Sequence, residues 1–67
     1  MDSWLRDALA LCPPDLGWEA RRRWLILGRW PSAAVRAAEQ DARQGRPEAL
    51  ALYDAEVAAI KAAVPKP

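Results

Sequence analysis

Prolines and glycines cut this chain into four pieces, and no strand pattern, repeat or low-complexity linker competes with that division. The cuts fall at Pro13-Pro14, at Gly28 with Pro31, at Gly45 with Pro47, and at Pro65. A proline inside a helix removes a backbone donor and clashes with the carbonyl one turn back, so helices end before it or begin at it. Between the cuts the chain is rich in alanine, the strongest helix former, at fifteen of 67 residues. Asp2 or Ser3 is expected to cap a first, short helix that stops at Pro13-Pro14. Asp15 is expected to cap a second, running to about Leu27, with Gly28 as its left-handed terminator. Ser32 should cap the third, which Gly45 closes. Pro47 suits the first turn of the fourth and Glu48 its dipole-favoured start. The expected fold is all-α, a small bundle of three to four short helices. Residues 1–64 form one helical domain and 65–67 a frayed tail.

Alanine makes helices but fills little space. The larger apolar side chains are eight Leu, four Trp, three Val, two Ile, one Met and one Tyr, enough for one layer of packed helices. Scaling with mass gives a folded surface of roughly 4,200 Å², and a domain this size is expected to be stable by about 3–5 kcal/mol. Cys12, the single cysteine, has no intramolecular partner to oxidise with. Asp2 and Asp7 interrupt the N-terminus where a secretory signal would be apolar. The longest strongly apolar run, "WLIL", is far too short to cross a bilayer, so no transmembrane segment is expected. These features predict a cytoplasmic protein, and the Ala/Arg/Pro-rich make-up fits a bacterial or phage gene.

The last piece has the cleanest periodicity. Leu50, Tyr53, Val57, Ile60 and Val64 follow at spacings of 3, 4, 3 and 4, a seam along one side of a helix. Two heptads are fewer than a secure coiled coil needs, so the seam is expected to pack onto the chain's own helices. A homodimer across it is the alternative, with Glu56 and Lys61 flanking the seam. The third piece carries only Val35, Ala38 and Ala42 on its apolar side. It should therefore lie close against a bulky neighbour, with the tryptophans of the second helix as natural candidates.

Catalytic chemistry finds few residues to work with. The chain has no histidine, which removes Ser-His and Cys-His pairs. One cysteine and scattered carboxylates build no zinc or transition-metal set, so no metal is expected. Gly17, Gly28 and Gly45 are too dispersed to cradle a phosphate, so no cofactor is expected either. Paired acids such as Asp54 and Glu56 stand two apart on a helix and point in different directions, as a solvated face would. No enzymatic activity is expected.

What remains is "WEARRRWLILGRWP", residues 18–31, which holds three of the four tryptophans and four of the ten Lys/Arg residues. The overall net charge is +1, but residues 18–30 alone carry Glu19 against Arg21, Arg22, Arg23 and Arg29. On a helical wheel, Ala20, Trp24 and Leu27 fall together as the expected core stripe, with Trp24 as its anchor. Trp18 and Leu25 share an adjoining strip, and Ile26 lies on a third side. Two arrangements follow. Either all the rings fill the core with the arginine stems laid along them, or part of the set stays outside. Tryptophan and arginine are enriched at binding hot spots. The second arrangement makes Trp18, Arg21, Arg22, Ile26, Arg29 and Trp30 a surface for a protein partner of unknown identity, as in an inhibitor, adaptor or assembly factor. Residues 18–45 also resemble, loosely, a helix-turn-helix, the DNA-binding alternative. Against it, the second helix of that unit mixes Arg36 and Arg43 with Glu39 and Asp41. An interfacial membrane helix is a third option, weakened by Glu19 and the short segment.

Overall fold

The computed structural model describes residues 2–67. It is an all-α bundle of four short helices: α1 (Ser3–Leu11), α2 (Trp18–Arg29), α3 (Ser32–Arg43) and α4 (Glu48–Ala63). The division by proline and glycine holds, while several helix ends differ from the expectation. Asp15 does not cap α2. It sits in a turn with Pro14, and the helix starts three residues later, where the Gly17 carbonyl accepts the Arg21 N–H at 2.9 Å. The chain leaving two rigid prolines needs those residues to change direction. At the other end α2 runs straight through Gly28 to Arg29. Pro31 is what stops it, because the residue before a proline is driven out of the helical region. Trp30 obeys, at φ −130° and ψ 84°.

Ser32 is the first residue of α3 and makes no capping bond; the Pro31 carbonyl receives the Ala34 and Val35 N–H groups instead. Asp2 flanks α1 as expected but without a side-chain bond. Gly45 ends α3 as anticipated. Its φ of +82° allows its own N–H to reach Ala42 O and the Arg46 N–H to reach Asp41 O, a closed C-terminal turn.

The closest backbone packing joins α3 to α4, followed by α2 to α4. Buried Ala38 gives α3 its close approach. The neighbour is therefore α4, and not the tryptophans of α2 as expected. The core is Leu5, Leu25, Ile60 and Val64, edged by Trp4, Ala8, Leu9, Trp18, Ile26, Ala59 and Ala63. Along α4 the seam meets the chain's own helices. Ile60 and Val64 are closed over in the core, Tyr53 stands edge-on to Trp30 at 5.5 Å, and Leu50 and Val57 are half-buried. The molecule extends 40 × 22 × 21 Å and exposes 4748 Å², more than the roughly 4,200 Å² expected of a compact chain of this mass. A thin core and an apolar excess outside it follow together.

Candidate docking surface

Helix α2 is turned nearly opposite to the expected orientation. Leu25 is 2% exposed, whereas Trp24 is 38% and Leu27 49% exposed. Trp18 and Ile26 pack against the core. The inward face built on Trp18, Leu25 and Ile26 lies roughly 170° around the wheel from the expected Ala20–Trp24–Leu27 stripe. Partners on α4 explain the rotation. The last carbonyls of a helix lack intrahelical donors. Arg22 supplies them, its Nε donating to Val64 O at 2.7 Å and its Nη2 to Lys61 O at 3.2 Å. Its guanidinium also stacks 5.0 Å from the Trp18 ring, which Lys66 approaches at 6.0 Å from the tail.

Two turns further along α2, Arg29 grips Glu56 with two bonds, Nε to Oε1 at 2.9 Å and Nη2 to Oε2 at 3.1 Å. Trp30 Nε1 donates to the same Oε1 at 2.8 Å. Arg29 lies 4.6 Å from the centre of the Trp4 ring, which ties α1 into the clamp. Glu56 is only 7% exposed. The Arg29 hydrogen bonds hold its carboxyl below the ordinary value of 4.5 against the opposing effect of burial, with help from the Trp30 N–H and the Arg29 charge. Arg29 is correspondingly held as a cation.

The six residues expected to face a partner are therefore mostly turned inward. Trp18 and Ile26 edge the core, Arg22 caps α4, and Arg29 and Trp30 hold Glu56. Arg21 is half-buried, and its Nε has no hydrogen-bond partner among the described residues. Glu56 is the residue that sequence reasoning missed. Glu56 was expected on a solvated face flanking the seam. It stands three residues after Tyr53 and four before Ile60, a lone acid beside an apolar line, which is the signal for a buried partner.

The apolar excess emerges elsewhere. Leu11, 76% exposed, joins Trp24 and Leu27 around two adjoining clefts. One, of about 180 Å³, lies between α1 and α2 with Trp4, Ala8, Leu11 and Trp24 among its walls. The other, of about 280 Å³, runs along the outer face of α2 between Leu16, Ala20, Arg23, Trp24 and Leu27. Trp24 belongs to both. A third cleft, of about 360 Å³, separates α1 from α4 and is lined by Asp2, Leu5 and three alanines. Among the described residues no three His, Cys, Asp or Glu side chains gather as a metal set would require, and no helix is long and apolar enough to cross a membrane. Cys12 is buried with a free thiol. On α3, exposed Arg36 and Arg43 alternate with exposed Glu39.

No protein family, curated protein or solved structure matches this chain. The exposed Leu11–Trp24–Leu27 surface is the feature with a physical consequence. Isolated surface leucines such as Leu52 are ordinary, whereas three large apolar groups around adjoining clefts form a continuous exposed apolar patch.

Proposed function

We propose that this chain is a protein-binding helical module without catalysis of its own, which docks a partner on the outer side of α2 in the cytoplasm. The observation that carries this reading is the exposure of Trp24 between Leu11 and Leu27, with a cleft on each side of its ring. An indole at the centre of an apolar patch, next to an arginine (Arg23) that forms no ion pair within the described residues, has the composition of a hot spot. The arginines on the inward side of α2 support it from behind by locking the helix to α4.

A photo-reactive side chain placed at Leu27 in cells should cross-link to one discrete protein species, and the same group at exposed Glu48 should not. Trp24→Ala should weaken that capture by about 1–3 kcal/mol, as truncation of a central aromatic anchor does. Equal labelling from both positions, or none from Leu27, would remove the reading. Retardation of duplex DNA at low salt would favour the helix-turn-helix alternative in its place.

A further inference from the structure

We infer that the occupant of the Leu11–Trp24–Leu27 surface is a second copy of this chain, bound about a two-fold axis near Trp24. The inference deepens the docking reading and rests on it. A two-fold interface presents one patch to itself, so whatever lies at one edge must suit what lies at the other. Here the two edges are opposite in charge. On α1, exposed Asp7 stands three residues after Trp4 and four before Leu11, flanking the α1 side of the patch and pointing away from buried Leu5. On α2, exposed Arg23 lines the outer cleft beside Leu27. Neither forms an ion pair within the described residues.

Rotation about an axis near Trp24 brings the α1 edge of one copy onto the outer edge of α2 in the other. Leu11 then meets Leu27, and Asp7 meets Arg23, each twice. Arg29 is engaged by Glu56 and Arg22 by the α4 carbonyls, and Arg21 is half-buried, so Arg23 is the exposed positive member of the rim. Size also fits. A standard interface takes about 800 Å² per partner, close to a sixth of the 4748 Å² exposed here.

Sedimentation equilibrium over roughly 1 µM to 1 mM, the range of weak-to-moderate association, should show the mass rising from 7.4 kDa to twice that value. Leu27→Lys should hold the protein at the monomer mass while its far-ultraviolet circular dichroism at room temperature keeps the same helix content. Asp7→Arg should weaken pairing roughly tenfold, since like charges across an interface are penalised, and adding Arg23→Asp should restore it. A dimer that survives Leu27→Lys, or one indifferent to the Asp7 exchange, overturns this pairing. So does a dimer lost on Val57→Lys alone, which would place contact on α4. If the wild type stays monomeric while Leu27 still cross-links a different protein, self-pairing falls and the docking reading stands. Monomers with no cross-link end both.

Discussion

Leu25→Ala should leave the protein largely unfolded at room temperature. Leu25 is one of the two large side chains closed off completely, and it faces Leu5, Ile60 and Val64 where three helices meet. Truncating a buried leucine loses transfer energy and leaves a cavity, at a cost of about 2.7–5 kcal/mol. The whole domain is expected to be stable by only about 3–5 kcal/mol. The neighbouring Leu27→Ala should cost about 1 kcal/mol or less, because half of that side chain is already in water. Urea titration followed by far-ultraviolet circular dichroism measures both. If Leu27→Ala were the more damaging, α2 would be rotated as its sequence alone suggests, and the surface assigned to docking would be core.

The Glu56 clamp should give the second-largest loss and a distinct pH signature. Glu56→Ala leaves the Arg29 guanidinium and the Trp30 N–H without their acceptor. Breaking a fully buried pair costs about 3–5 kcal/mol; with the Arg29 side chain 42% exposed to water, a loss of about 2–3 kcal/mol is expected after allowing for that solvation. Because the folded carboxyl titrates below its ordinary value of 4.5, the unfolded chain binds the proton first as pH falls. The contribution is therefore complete above pH 4.5 and drains away as pH drops through the lowered folded value. Glu56→Gln should lower stability at neutral pH and flatten this acid limb. An acid limb identical in wild type and Glu56→Gln would mean that the carboxylate is not held by Arg29.

The fold class was legible because its determinants are local. Proline and glycine positions mark where helices cannot continue, and Gly45 closes α3 as anticipated, whereas the left-handed conformation expected at Gly28 falls to Gly45 instead. The α4 seam was legible too, since its large apolar residues other than Leu52 keep to one side. Rotation of α2 was not. Trp18, Trp24, Leu25, Ile26 and Leu27 surround that helix with apolar bulk, so periodicity has no preferred side to report. The choice was made by groups 26 to 42 residues away along the chain: the Glu56 carboxylate and the carbonyls of Lys61 and Val64. Arginines expected to lie along the indoles or to face a partner became the fasteners that point the helix inward, and displaced Trp24 to the outside. The start of α2 was misplaced for a similar reason. Asp15 has the chemistry of a cap, but the turn after two prolines claims it first.

The slight attachment of α1 has a consequence for how the molecule comes apart. Its backbone approaches the other helices less closely than α2 or α3 approaches α4; it is held by Leu5 in the core, by the Trp4–Arg29 stack and by the neighbours of Ala8 and Leu9. The α3–α4 hairpin is the most closely packed unit, so warming should peel the N-terminal helix away while most helicity persists. Leu11 and one wall of the inter-helix cleft would leave with it. The proposed docking would thus fail at a lower temperature than secondary structure, leaving the surface less durable than the shape.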